Sequence, residues 1–264
     1  MGRIEDAFAR ARSQGRSALI PFITAGDPSL EASERILHAL VRGGADMVEL
    51  GIAFSDPLAD GPVIQRASQR ALGAGTTPAD VLELAGRFRA AHPDVALVIL
   101  TYYNPVLQRG LEAFAADAAR AGVDGLVVAD LSLEESGPLR AAARPQGVAV
   151  IPFVAPTTPP ERLARVDALD PAFVYCVALT GVTGARRAVA EQTIALLESA
   201  KRAIRAPLAV GFGVSSPDHV RALRARADGV IVGSALVEII ERAGEGDLSA
   251  VESFVRSLRL ATAG

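Results

Sequence analysis

The chain has 264 residues, of which 50% are hydrophobic and 22% charged, with a formal net charge of −3. This is the composition of a globular core, long enough for one large α/β domain, and it excludes a disordered chain. The Arg residues are dispersed with no aromatic-interleaved basic patch, which argues against nucleic acid and anionic membranes as partners. A single cysteine, Cys176, rules out a disulfide framework within the chain and fits a small buried hydrophobe in a reducing compartment. The first residues lack the apolar stretch of a signal peptide, and no apolar run approaches the roughly 18 residues of a membrane span. The expected setting is the cytoplasm.

Short apolar runs alternate with longer amphipathic segments from end to end. An amphipathic helix is expected at Ile4–Arg12. Strands are expected at Leu19–Thr24, Met47–Gly51, Ala96–Thr101, Gly125–Ala129, Ala149–Val154, Phe173–Ala178, Leu208–Gly211 and Gly229–Val232. Helical patterns lie between them, near Leu30–Arg42, Val63–Leu72, Pro78–Ala91, Leu111–Ala121, Glu134–Ala143, Pro160–Ala168, Ala190–Arg202 and Pro217–Arg226, with a last one at Ser249–Leu260. Start signals at Asp27-Pro28-Ser29, Thr77-Pro78 and Ser216-Pro217-Asp218 place caps before three of these helices. The segments Gly43-Gly44-Ala45-Asp46 and Ala121-Gly122-Val123-Asp124 stop helices just before the next strand.

About eight β-α units with strands apolar throughout predict a parallel sheet covered by helices. A (β/α)8 barrel and an open doubly wound sheet both fit that pattern. Unit count, length and the lack of a Gly-x-Gly-x-x-Gly after the first strand favour the barrel. The terminal helices are expected to cover its ends. With no linker or low-complexity stretch, residues 1–264 read as a single domain.

In such a barrel the chemistry gathers at the C-terminal ends of the strands. Glu49 lies in an otherwise apolar strand, and Asp56 and Asp60 follow in the turn-rich loop Ser55-Asp56-Pro57-Leu58-Ala59-Asp60-Gly61-Pro62. A carboxylate in apolar surroundings is either paired or protonated, and one perturbed acid beside a more solvated one suits proton transfer near neutrality. Alternation points Glu49 opposite to Val48 and Leu50, so either it or they face the barrel interior. Gly211-Phe212-Gly213-Val214-Ser215-Ser216 and Gly233-Ser234-Ala235 are Gly-rich junctions after the seventh and eighth strands, where barrels hold phosphate on backbone amides and helix N-termini. Gly181-Val182-Thr183-Gly184, after the sixth strand, is placed either to close over a ligand or to add amides to the phosphate cradle. Phe22, Tyr102, Phe153, Tyr175 and Phe212 sit in or just after strands, fit either to pack the core or to line a pocket for a flat apolar group. The three histidines show no metal-ligand spacing, and no metal site is expected.

With these residues in view, the chain resembles the α subunit of tryptophan synthase over essentially its whole length. The resemblance is carried by Pro21-Phe22-Ile23-Thr24-Ala25-Gly26-Asp27-Pro28, Glu49-Leu50-Gly51, Phe54 to Pro62, Tyr102-Tyr103-Asn104-Pro105, Gly125 to Asp130, Gly181 to Gly184, Gly211-Phe212-Gly213 and Gly233-Ser234-Ala235. It implies a (β/α)8 TIM barrel that cleaves indole-3-glycerol phosphate to indole and glyceraldehyde 3-phosphate. On this resemblance Glu49 is the acid/base and Asp60 pairs with the indole N–H. Tyr175 hydrogen-bonds the glycerol portion, and Phe22, Leu100, Tyr102, Val127, Phe153 and Phe212 surround the substrate. Gly184, Gly213, Gly233 and Ser234 hold the phosphate, and Thr183 belongs to the lid. The implied partner is a β subunit carrying pyridoxal phosphate, in an α2β2 complex, met by Asp56, Pro57, Tyr103, Asn104 and Pro105. No cofactor is implied in this chain, whose only lysine is Lys201.

The chain departs from the family pattern at Ala53 and Ser132, where Pro is usual, and at Ala178-Leu179, where Ser-Arg is common. The first two bear on the β-subunit face and the third on lid closure. Two other readings stay open at this point. One is a catalytically weak subunit that mainly activates a β partner, and the other is a different sugar-phosphate barrel enzyme.

Overall fold

The computed structural model describes residues 2–177, 186–211 and 213–264, without the side chains of 186–190. The strands are β1 (Ala18–Thr24), β2 (Met47–Gly51), β3 (Ala96–Thr101), β4 (Gly125–Val128), β5 (Ala149–Val150), β6 (Phe153–Val154), β7 (Val174–Val177), β8 (Leu208–Gly211) and β9 (Gly229–Val232). All pair in parallel, in the order β5-β4-β3-β2-β1-β9-β8-β7-β6. The two ends of that order are consecutive in the chain, so the sheet curls into a barrel. The expected strand Ala149–Val154 is broken into β5 and β6 because Pro152 has no N–H to give to a ladder. Ile151 still donates to the Leu126 carbonyl (2.9 Å) on one side, and the Pro152 carbonyl accepts from Tyr175 (3.0 Å) on the other. The break therefore bridges β4 and β7 and closes the ring.

Side-chain alternation sorts the strands into two cores. Leu19, Ile23, Val48, Leu50, Leu97, Ile99, Leu126 and Val210 point outward into the layer beneath the helices, with Cys176 among them. Ala18, Ile20, Met47, Val98, Val127, Ile151, Phe173, Tyr175 and Ile231 point inward. The interior is plugged from the N-terminal end by α1 (Arg3–Ser13), whose Ile4, Ala7, Phe8 and Ala11 join the inner cluster. Phe8 packs 5.6 Å from Phe173. Gly229 leaves it room, since a Cβ there would sit 2.9 Å from the Phe8 ring.

Strand register is pinned by a repeated device. Asp46, Asp124 and Asp228 each precede a strand, and their carboxylates accept the amides of Leu19 (2.9 Å), Leu97 (2.8 Å) and Leu208 (3.0 Å) on the neighbouring strand. Their own amides donate back to the carbonyls of the same three leucines. Asp46 is also held by Arg16 in a buried bidentate pair, and Asp124 by Arg3 and Arg89. The Gly-Ala-Asp and Gly-Val-Asp endings therefore stop a helix and also start a strand in register.

The outer helices include α2 (Leu30–Arg42), α4 (Pro78–Ala91), α6 (Leu111–Arg120), α7 (Gly137–Ala143), α8 (Pro160–Asp167), α9 (Arg186–Ala203) and α10 (Pro217–Leu223). The expected caps form: Ser29 and Ser216 accept amides three residues on, and Thr77 makes a capping box with Asp80. Two helices stand at the mouth, α3 (Pro62–Gly73) and the short α5 (Tyr103–Arg109), and α5 was not among the expected helices. The C-terminal end corrects one expectation. The terminal helix α12 (Ser249–Ala261) does not cover an end of the barrel; it packs between α10 and α2 and completes the outer ring. It is α11 (Ser234–Ala243) that stands beside α3 at the mouth.

Candidate active site

Glu49 points into the barrel, because both its neighbours belong to the outer layer. Phe22 on β1 and Val98 on β3 flank it in register. The carboxyl is 2% exposed, and its Oε2 has no hydrogen-bond partner. Burial, reinforced by the negative charge of Asp60, pushes its pKa up to about 8. An acid with an unpartnered oxygen inside an apolar barrel is a strained arrangement with no structural purpose of its own, and such groups cluster where protons are moved.

Asp60 reaches the same space from the loop between β2 and α3. Turn bonds from Leu58 to the Asp56 carbonyl (2.9 Å) and from Asp60 to the Pro57 carbonyl (3.0 Å) shape that loop. Tyr102 then fastens it. Its hydroxyl accepts the Ala59 amide at 3.0 Å, next to Asp60 in the chain, and its ring stacks on Phe54 at 5.2 Å. Desolvation raises Asp60 to about 6 while the Tyr102 hydrogen bond opposes the shift. At pH 7 the two acids therefore differ: Glu49 holds its proton and Asp60 is ionised. Tyr175, buried beside them, has its hydroxyl pKa pushed well up by burial and by both carboxyls, so it stays a neutral donor. Gly211 makes space for it, since a Cβ there would lie 2.5 Å from the Tyr175 hydroxyl oxygen.

These groups open onto a cleft of about 370 Å³ at the C-terminal mouth, lined by Phe22, Glu49, Asp60, Leu100 and Tyr175 on one side and Gly213, Ser215, Gly233 and Ser234 on the other. Ser234 begins α11, whose first amides have no partner within the helix and carry its positive end. The turn at Gly213 needs glycine, with φ +82°. No Arg or Lys is among the described lining residues, so an anion held here rests on amides, hydroxyls and the helix end.

The expected site residues thus fall into groups. Phe22, Glu49, Asp60, Leu100, Tyr175, Gly213, Gly233 and Ser234 share one cleft. Tyr102 works from behind through the loop, and Val127 is packed in the inner core. Phe153 lines a second, smaller cavity with Ser132 and Arg162, while its ring lies 5.0 Å from that of Tyr175. Thr183, Gly184 and Phe212, with Ala178, Leu179 and Thr180, lie outside the described residues. Ile64, Val214 and Ile231 also line the cleft and were not expected. Ile231 alternates inward in a strand read correctly, so its signal was available; Ile64 depends on how α3 folds over the mouth. Among the described residues no group of three or more His, Cys, Asp or Glu is placed to hold a metal.

On the outer rim Asp56 and Leu58 are exposed, Leu58 by 94%, and Leu107 of α5 is half exposed. Tyr103 is tied down by its amide, which donates to Asp130 at 2.7 Å. Ser132 accepts the Glu135 amide (3.2 Å), an ST-type turn in the loop after β4.

A parallel barrel with a protonated buried acid, an ionised partner and an amide-lined anion cradle at its C-terminal mouth defines a phosphate-handling (β/α)8 enzyme that works by proton transfer. The comparisons narrow that class. The sequence profile of the tryptophan synthase alpha chain family matches residues 8–262. The tryptophan synthase alpha chain of Rhizorhabdus wittichii is 47% identical over 261 residues, covering 99% of this chain and 96% of that one. That of Halorhodospira halophila is 52% identical over 244 residues, covering 92% and 89%. Among solved structures, the tryptophan synthase alpha chain of Legionella pneumophila superposes with a TM-score of 0.90 at 35% identity, covering 99% and 97%. A chain of Mycobacterium tuberculosis tryptophan synthase gives 0.90 at 37% identity, covering 99% and 98%. The chain belongs to the tryptophan synthase alpha chain family.

Proposed function

We propose that this chain carries out the α reaction of tryptophan synthase, the retro-aldol cleavage of indole-3-glycerol phosphate to indole and glyceraldehyde 3-phosphate. The observation that carries the reading is Glu49: fully buried, facing the cleft, protonated at neutral pH, with Oε2 free of any hydrogen bond. The bond between indole C3 and the glycerol carbon breaks once C3 is protonated, which turns the ring into an electron sink. Glu49 gives that proton. Its carboxylate then takes the proton of the adjacent hydroxyl, the carbon–carbon electrons return to the ring, and the aldehyde forms, with no net change in protons. The carboxylate of Asp60 accepts the indole N–H and stabilises the cationic ring. Tyr175 donates to the glycerol portion, Phe22 and Leu100 pack on the indole, and Gly213, Gly233 and Ser234 hold the phosphate.

Proton transfer of this kind calls for no cofactor in this chain. Indole passes to a β subunit that carries pyridoxal phosphate, within an α2β2 complex in the cytoplasm. Exposed Leu58, with Asp56 and Pro57 of the same loop and with Tyr103, Asn104 and Pro105 at the start of α5, supplies the contact face. Among the described residues no helix is long and apolar enough to cross a membrane.

The test is indole formation from indole-3-glycerol phosphate by the native chain, Glu49→Gln and Asp60→Asn, alone and with a β subunit. Both variants are expected to lose at least about 100-fold in kcat while remaining folded. For the native chain kcat rises as Asp60 ionises near pH 6 and falls as Glu49 loses its proton near pH 8. Near-native turnover by Glu49→Gln removes the acid/base assignment. A native chain that makes no indole yet stimulates a β subunit would be a regulatory subunit instead.

A further inference from the structure

The helix that follows Asp60 has little apolar footing. Only Ile64, Ala67 and half-buried Val63 of α3 join a small cluster with Phe22 and Val237. Ala71 is buried near its far end, and the ties that cross from there to other elements are polar. Arg70 forks onto Asp27 of the loop after β1, with Nε to Oδ1 at 2.7 Å and Nη2 to Oδ2 at 2.9 Å. Its remaining nitrogen reaches Glu241 of α11 at 2.7 Å, and Arg66, one turn earlier, reaches the same carboxylate at 3.2 Å. Asp27 is 3% exposed, so its charge depends on this partner. The loop is pressed against the end of α3 as well: a Cβ on Gly26 would fall 2.1 Å from the Thr76 hydroxyl.

We infer that Arg70 is a positioning residue for the α reaction: by joining the loop after β1, α3 and α11, it fixes the angle at which α3 presents Asp60 to the cleft. The inference rests on the role given to Asp60 above. The lever is short and its gain is calculable. Arg70 lies eight residues from Pro62, about 12 Å along the axis, so a tilt of about 5° at Arg70 moves the start of α3 by about 1 Å. A misplacement of that size costs on the order of 100-fold in a reaction that depends on aligned groups. Glu241 lies in the last turn of α11, away from the cleft-lining first turn, and serves as a second anchor against which that tilt is set. A lysine has the charge but not the planar fork, and cannot bind both Asp27 oxygens while reaching Glu241.

The experiment measures indole-3-glycerol phosphate cleavage by the full chain for the native protein, Arg70→Lys, and Asp27→Leu/Arg70→Met, the last removing both charges so that none is left buried alone. The double replacement is expected to lower kcat by at least 10-fold and to change KM by less than about 3-fold, with Arg70→Lys intermediate. The same replacements are then made in Asp60→Asn and followed in single turnovers. There they should lower the residual rate by less than about 2-fold, because Arg70 acts through a carboxylate that is already gone. Equal losses in both backgrounds would mean that Arg70 only supports the fold, and would overturn the inference. Native kcat in folded Arg70→Lys or in the double replacement would overturn it too. Absence of indole from the native chain would count against the proposed function, whereas an active native chain indifferent to these replacements counts against Arg70 alone.

Discussion

If the Glu49 proton is held by burial, neutralising that residue must change how stability depends on pH. Glu49 titrates near 8 in the folded chain against an ordinary value of 4.5. Between those values the native state binds a proton that the unfolded state has released, so stability falls as pH rises through that window. At about 1.36 kcal/mol per unit, the penalty grows from about 1 kcal/mol at pH 5 to about 5 kcal/mol at pH 8.5. Glu49→Gln removes the titration while preserving size and shape. Relative to the native chain, the variant should therefore gain about 4 kcal/mol of stability between pH 5 and pH 8.5. Urea unfolding of both proteins at the two pH values reads this directly. With an m-value of about 3 kcal/mol/M, the gap between their midpoints should widen by about 1.3 M. A gap that stays constant with pH would refute the buried, neutral Glu49 whatever the activity assay gives.

Two further outcomes follow from packing and exposure. Gly211→Ala places a Cβ where the Tyr175 hydroxyl stands, so the ring must move; we expect a loss of about 1–3 kcal/mol in stability and at least 10-fold in kcat/KM, checked by melting and by indole formation. Leu58→Asp touches nothing in the free chain, so its melting temperature and isolated cleavage should be unchanged within error, while calorimetric affinity for a β subunit falls at least about 10-fold. Unaltered affinity would move the contact face away from the loop after β2.

The barrel was legible in the sequence because β-α alternation is local: each apolar run and each capped helix announces itself within about fifteen residues. The face of a strand is not local. Val48, Glu49 and Leu50 all become buried, and in a parallel strand covered on both sides, apolarity cannot tell the interior from the helix layer. Only the neighbours of Val48 and Leu50 across space settle which way Glu49 turns. The break at Ile151-Pro152 was readable from proline's missing donor, and the apolar run around it outweighed that signal. The roles of α11 and α12 were not readable, since both are amphipathic and only packing decides which joins the ring. Arg70 shows the same limit: an arginine on a helix looks like solvent-facing charge until the loop carrying Asp27 is folded against it.

Glycine placement explains how so small a barrel keeps an unpaired acid without collapsing around it. At the mouth, Gly51 and Gly233 border Phe22 and Gly211 borders Tyr175, with missing Cβ atoms at 2.8, 3.3 and 2.5 Å from those rings or their hydroxyl. The ends of β2 and β8 and the residue just after β9 thus lack side chains where these two aromatics pack. Filling any of these positions would push a ring toward Glu49 or into the cleft. Toward the N-terminal end the interior is instead filled by Ile20, Met47 and Phe173 with the buried face of α1 packed against them. The acid's raised pKa and the open mouth therefore share one cause: the interior is packed below Glu49 and vacated by glycine above it.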